Sequence, residues 1–251
     1  MKKRRKMITE LVRTEGEISI MQLREHFPDV SEMTLRRDLE YLDQNGQIVR
    51  IHGGAKSIEA IVGLTEELYS KRLLHNVEQK SFIAEKALTL LEPNTSVFID
   101  SGTTTTALAR IMPDSNLRIF TSGLTCALEL ARLKESTIEL VGGELNKISL
   151  STFGSHAMRQ LENVNFDIAF LGVTGFTMKA GFTTGLFDDC ELKRAAMKRA
   201  AKVVLLMDSS KIGRVKTYTF ASLDDIDAVI VDDDIDQELV KEIKEKEVEV
   251  I

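Results

Sequence analysis

The sequence predicts a two-part fold: a small unit of three helices and a β-hairpin, then a larger α/β unit built on a mainly parallel sheet. Two patterns carry this reading. Residues 4–56 place apolar side chains at helical spacing three times before a β-branched run that ends at Gly53-Gly54. From Val97 onward, short β-branched runs alternate with helical ones, as in sheets covered by helices. With 251 residues, 43% of them hydrophobic, the chain has enough apolar mass for two cores.

Ile8, Leu11 and Val12 define a first helix from about Arg4 to Arg13, which Glu15-Gly16-Glu17 interrupts. A second runs from about Ile20 to His26 with Leu23 and Phe27 inward, and Pro28 prevents its continuation. Ser31 suits an N-cap for the third, whose stripe of Leu35, Leu39 and Leu42 stops at Asn45-Gly46. Ile48 to His52, closed by Gly53-Gly54, then reads as a hairpin, so residues 1–56 form a winged helix-turn-helix. Residues 57–75 form a connector, and residues 76–251 form the second domain, opening on a helix from Val77 to Leu91. Its strand-like runs are 97–99, 118–121, 138–141, 168–171, 203–207, 228–231 and 248–251; helical ones lie at 107–111, 124–133, 191–200 and 237–244.

Charge and composition exclude several function classes. The net charge of −6 hides an asymmetry: residues 1–56 hold 11 Lys or Arg against 9 Asp or Glu, and the rest 22 against 30. No run approaches the roughly 20 apolar residues of a membrane helix, so no membrane partner is expected. Met1-Lys2-Lys3-Arg4-Arg5-Lys6 leads into an amphipathic pattern, which points to the cytoplasm. Cys126 and Cys190 lie far apart, and His26, His52, His75 and His156 show no ligand spacing, so neither a metal nor a cofactor is expected. No catalytic residues are assigned, since both Gly-x-Ser-x-Gly and His-Glu-x-x-His are missing. Asp188-Asp189 and Asp232-Asp233-Asp234 read as solvated loop acids.

On the third helix, the stripe leaves Thr34, Arg36 and Arg37 off the packed side, free with the cap residue Ser31 to meet double-stranded DNA. Arginine can donate two hydrogen bonds to guanine, and Ser or Thr can hold phosphate. Arg50 and His52, with Lys56, add cations on the wing. The span from Arg4 to Lys56 resembles the DNA-binding segment of the DeoR family of bacterial repressors, through Val30-Ser31, Thr34-Leu35-Arg36-Arg37-Asp38-Leu39 and Arg50-Ile51-His52-Gly53-Gly54-Ala55. That resemblance implies a repressor of a sugar-metabolism operon, acting as a homodimer or homotetramer.

In the second domain, apolar runs turn abruptly into small polar residues at Asp100-Ser101-Gly102-Thr103-Thr104-Thr105, Ser122-Gly123, Gly142-Gly143, Gly172-Val173-Thr174-Gly175 and Asp208-Ser209-Ser210-Lys211. Loops at the carboxyl ends of parallel strands converge on one pocket. Ser101 to Thr106 follows a strand and opens a helix, an arrangement that favours an anion, and Lys211 supplies a cation. Residues 80–251 resemble the sensor domain of the same family, similar in fold to ribose-5-phosphate isomerase, which implies a phosphorylated sugar effector. An isomerase-like enzyme is the alternative. Glu191 falls where the isomerases keep a glutamate base, but Gly172-Val173-Thr174-Gly175 stands where they place acids, so Glu191 and Lys193 are expected as ligand contacts. Ser122 stands where many members carry asparagine.

Overall fold

The structure, a computed structural model, describes residues 2–57 and 69–251, and the chain divides into two compact units, Met1–Thr65 and Glu66–Ile251. The first unit contains α1 (Lys2–Glu15), β1 (Glu17–Ser19), α2 (Ile20–His26), α3 (Glu32–Gln44), β2 (Val49–Ile51) and β3 (Gly54–Lys56). Ile8 and Val12 of α1, Leu23 of α2 and Leu35, Leu39 and Leu42 of α3 close on Ile18, Ile48 and Ala55 to make its core. Ser19 caps α2 reciprocally: its hydroxyl accepts from the Gln22 N–H (3.2 Å), while the Gln22 side chain accepts from the Ser19 N–H (2.9 Å).

The wing differs from the expected two-stranded hairpin. Glu17–Ser19, which the sequence reads as part of a break, pairs antiparallel with β3, so the strand order is β1-β3-β2. Three residues are too few to display an alternating pattern. Gly54 is demanded by this pairing, because a Cβ there would stand 2.1 Å from the Ile18 carbonyl oxygen.

The second unit begins with α4 (Tyr69–Leu74), inside the stretch expected as connector. A single buried aromatic accounts for this: Tyr69 is 5% exposed, its N–H donates to the Ile148 carbonyl (2.9 Å), and its hydroxyl donates to Thr106 Oγ1 (2.9 Å). Residues 58–68 of the expected connector lie outside the described residues. α5 (Val77–Leu88) follows, shorter than the expected helix to Leu91.

A seven-stranded parallel sheet organises the rest: β4 (Ser96–Ile99), β5 (Arg118–Thr121), β6 (Thr137–Leu140), β9 (Phe166–Gly172), β12 (Ala200–Leu206), β14 (Ala228–Ile230) and β15 (Glu249–Val250). Alternate residues point to opposite faces, so Phe98, Ala169, Leu171 and Leu205 build one core while Val97, Ile99, Ile168, Phe170 and Val204 build the other. The second face is covered by α5, α6 (Thr103–Ile111) and α7 (Leu124–Leu130), and the first by α8 (Ser155–Leu161), α9 (Phe187–Met197) and α10 (Gln237–Lys244). Two antiparallel additions are not visible as patterns in the sequence: the pair β7 (Glu144–Asn146) and β8 (Ser151–Phe153), and the ribbon β10 (Gly175–Thr177), β11 (Gly181–Thr184) and β13 (Tyr218–Ala221). The ribbon is anchored by Phe176 stacked on Phe182 at 4.4 Å.

The strand order β15-β14-β12-β9-β4-β5-β6 places a switch point between β4 and β9, where successive connections leave in opposite directions. In open parallel sheets, a crevice forms outside the carboxyl ends of such strands.

Candidate functional site

In the first unit, α3 presents a polar face opposite its leucine stripe. The Ser31 hydroxyl accepts from the Thr34 N–H (3.3 Å) and is hydrogen-bonded to the Thr34 hydroxyl (2.9 Å), fixing the helix start. Arg36 is exposed and meets Glu32 at 2.7 Å, an i,i+4 pair on the helix surface. Arg37 is exposed and has no ion pair among the described residues. The neighbouring acid is engaged elsewhere: buried Asp38 accepts from Arg4 Nε (2.6 Å) and Arg5 Nε (2.7 Å), and the Arg5 guanidinium lies 3.7 Å from the Tyr41 ring centroid. Part of the basic N-terminus therefore ties α1 to α3.

On the wing, the Arg50 N–H donates to Asp43 Oδ1 (3.1 Å), which seats β2 against the end of α3, and His52 is exposed at the turn. Arg36, Arg50 and His52 line one groove of about 140 Å³ between α3 and the wing. Asp38→Ala would leave two arginines without their buried partner. It is expected to destabilise the first unit by about 2–3 kcal/mol and to weaken operator binding, as read by circular-dichroism melts and DNA titration; unchanged melts would show the clamp to be without weight.

In the second unit, the carboxyl ends of β4 and β9 open into a cleft of about 40 Å³, bordered by Ser101, Gly102, Thr103, Thr104, Thr105, Gly172, Val173, Thr174, Arg72, Asp189, Lys193 and Lys211. Gly102 precedes α6 with φ 154°, a conformation L side chains rarely adopt, and no side chain caps the helix. The first-turn N–H groups of α6 have no partner within the helix, so their positive ends and the threonine hydroxyls favour an anion. Thr105 and Thr106 turn their hydroxyls back to the Gly102 carbonyl (3.2 and 2.6 Å), which holds the loop in shape.

Beneath the loop lies a buried ionic cluster. Asp100 and Lys193 are 1% and 3% exposed and in direct contact; Asp100 also accepts from the Gly172 N–H (2.9 Å), and Asp189 stands 3.5 Å from Lys193. Burial raises the Asp100 carboxyl above its ordinary value, against the pull of Lys193. Burial likewise pushes the adjacent Cys126 thiol up to about 11, which keeps it protonated.

Five residues expected as contacts do not border this pocket: Asp100 is buried beneath it, and four others sit elsewhere. Ser122 is buried after β5, where its carbonyl accepts from the Thr152 N–H (2.8 Å). Gly142 donates to the Gln160 side chain (2.6 Å), and Gly143 packs on the Phe153 carbonyl, both beyond the edge strand β6. Glu191 points away from the cleft and pairs with Arg194 at 3.4 Å. Conversely, Asp189, expected as a solvated acid, is 12% exposed and accepts from the Thr184 hydroxyl (2.6 Å). Arg72 and Thr174 also border the cleft without having been singled out as contacts.

Residues 4–60 match the DeoR-like helix-turn-helix domain, and residues 75–233 match the DeoR C terminal sensor domain. The chain belongs to the DeoR family. It is 35% identical to the transcriptional regulator GlpR of Haloferax volcanii over 99% of this chain and 96% of that one. It is 33% identical to the lactose phosphotransferase system repressor of Streptococcus mutans over 93% of each. Among solved structures, ribose 5-phosphate isomerase A from Methanocaldococcus jannaschii aligns over 55% of each chain at 15% identity, with a TM-score of 0.41. As a DeoR-family member, the chain is a DNA-binding transcriptional regulator that joins a helix-turn-helix to a sensor domain. Among its described residues, no helix is long and apolar enough to cross a membrane.

Proposed function

We propose that this regulator is a cytoplasmic repressor of a sugar-metabolism operon, that it reads a two-fold operator as a homodimer or homotetramer, and that a phosphorylated sugar in the sensor cleft sets its affinity for DNA. The observation that carries this reading is the convergence of uncapped α6, three threonines and Lys211 on one crevice at the sheet's switch point. An anionic phosphoryl group matches those donors, and Asp189 and Thr174 supply partners for hydroxyls. On DNA, Arg36 and Arg37 enter the major groove from α3, Ser31 and Thr34 hold phosphate at the helix start, and Arg50 and His52 follow from the wing. On this reading the cleft binds without turnover, which the position of Glu191 outside it and the engagement of Lys193 by Asp100 and Asp189 support.

Lys211 is the discriminating residue. It is 20% exposed, stands 3.8 Å from Asp208 and belongs to the second unit, so its removal takes nothing from the core that holds α3 and the wing. With operator DNA obtained by in vitro selection on the full chain, Lys211→Ala is expected to keep ligand-free operator affinity within about twofold and to raise the phosphosugar half-saturation by about tenfold. An unaltered dose–response in fluorescence anisotropy would remove Lys211 from the site.

A further inference from the structure

The cleft has room for roughly three waters, since one water needs about 10–15 Å³ of such space, whereas small-molecule sites usually enclose about 300–1,000 Å³. Something bordering the cleft must move before a phosphosugar can enter whole. Its floor is formed by the paired strands β4 and β9 and by the buried contact of Asp100 with Lys193 of α9, groups whose displacement would break the sheet ladder or a buried ion pair. Residues 69–76 are built differently. They carry Arg72 to the cleft and are pinned at both ends by side-chain hydrogen bonds. Between those pins, buried Lys80 of α5 donates to the Arg72 and His75 carbonyls and acts as the hinge on which the segment turns.

At one end, the Tyr69 hydroxyl donates to Thr106 Oγ1, the same hydroxyl that reaches the Gly102 carbonyl at the α6 N-terminus. At the other end, Asn76 Nδ2 donates to Asp208 Oδ1 (2.8 Å) and Ser210 Oγ (3.0 Å), in the turn that leads to Lys211. Asn76 holds this position with φ 52°, a left-handed conformation that non-glycine residues adopt at a cost. The segment thus spans from the anion-binding helix to the lysine turn, and it is the first described segment after the chain leaves the DNA-binding unit.

We propose that residues 69–76 are a strap across the effector cleft, that phosphosugar entry releases its Tyr69 and Asn76 pins, and that this release carries the signal into the chain leading to the helix-turn-helix. The proposal rests on the phosphosugar reading of the cleft. It has a direction: weakening a pin makes entry easier and moves the ligand-free protein toward its ligand-bound operator affinity, whichever sign that shift has. A merely structural role for the same hydrogen bonds moves ligand affinity the other way.

Tyr69→Phe deletes only the hydroxyl, and Asn76→Gly deletes both amide bonds while keeping a residue that accepts a positive φ. Full-length wild type and both variants are titrated with selected operator DNA, with and without glucose 6-phosphate, fructose 6-phosphate, fructose 1-phosphate and glycerol 3-phosphate. For the probe to which the wild type responds, each variant is expected to show a half-saturation about fivefold lower and a smaller ligand-induced change in operator affinity. Amide hydrogen exchange in residues 69–76 is expected to be faster in each variant before ligand is added. Unchanged or higher half-saturation in both variants, with a wild-type response intact, overturns the strap alone. A wild type that none of the four probes affects overturns the cleft reading and the strap with it.

Discussion

Replacing Lys193 with methionine is expected to cost the larger unit about 3–5 kcal/mol, because the change leaves Asp100 buried and charged with its chief counter-ion gone. For a unit of this size, that corresponds to a melting point lower by about 10 °C. The pH dependence identifies the cause. Burial already raises the Asp100 carboxyl and Lys193 is the main influence opposing it, so the variant raises it further. A carboxyl raised on folding contributes stability that is fully present below its unfolded value of 3.8 and lost as pH rises through its folded value. The deficit of Lys193→Met should therefore be greatest near neutrality and shrink as the solution is acidified. Melts from pH 4 to pH 8 read this directly, and a deficit independent of pH would show that an uncompensated Asp100 charge is not its source. Asp100→Asn should be milder, since Lys193 keeps Asp189 at 3.5 Å.

What the sequence exposed, and what it concealed, follows from the range of the interactions concerned. The leucine stripe of α3, the Ser31 cap and the apolar run ending at Ser101 are local patterns, and each reappears at its expected residues. Strand order is not local. Ser122, Gly142 and Gly143 follow strands just as Gly172 ends one, but β5 and β6 lie on the far side of β4 from β9, and the cleft draws its lining from the loops after β4, β9 and β12 instead. The displacement of Glu191 from the cleft follows from helix periodicity: Asp189 and Lys193 stand four apart on one face of α9, whereas a residue two positions on from Asp189 points to another face. The ribbon strands β10, β11 and β13 hold only three or four residues each and include Gly175 and Gly181, which leaves too little length for a period to show. Tyr69 carried no periodic signal, because what fixes α4 is a hydroxyl reaching Thr106 across 37 residues of sequence.

Arg37→Ala is expected to weaken operator binding by about 1–3 kcal/mol, or roughly 5- to 150-fold, while leaving thermal stability within about 0.5 kcal/mol. The argument turns on which acids are already occupied. Arg36 has Glu32 at 2.7 Å, an exposed pair worth only about 0.3–0.5 kcal/mol, which DNA can displace at little cost. Asp38, the acid beside Arg37 in the chain, is taken up by Arg4 and Arg5, so Arg37 stands exposed on α3 without an ion pair among the described residues. Its charge is available to DNA without breaking anything first. Two measurements separate what it touches. A phosphate contact would lower affinity equally for every sequence and reduce the steepness of the salt dependence by about one counter-ion, whereas a base contact would relax discrimination at one operator position. Placement on the N-terminal half of α3, whose first turns enter the groove in a helix-turn-helix, predicts the base contact. Equal affinity of variant and wild type for operator would remove Arg37 from the interface and transfer the reading of sequence to Arg36 and the wing.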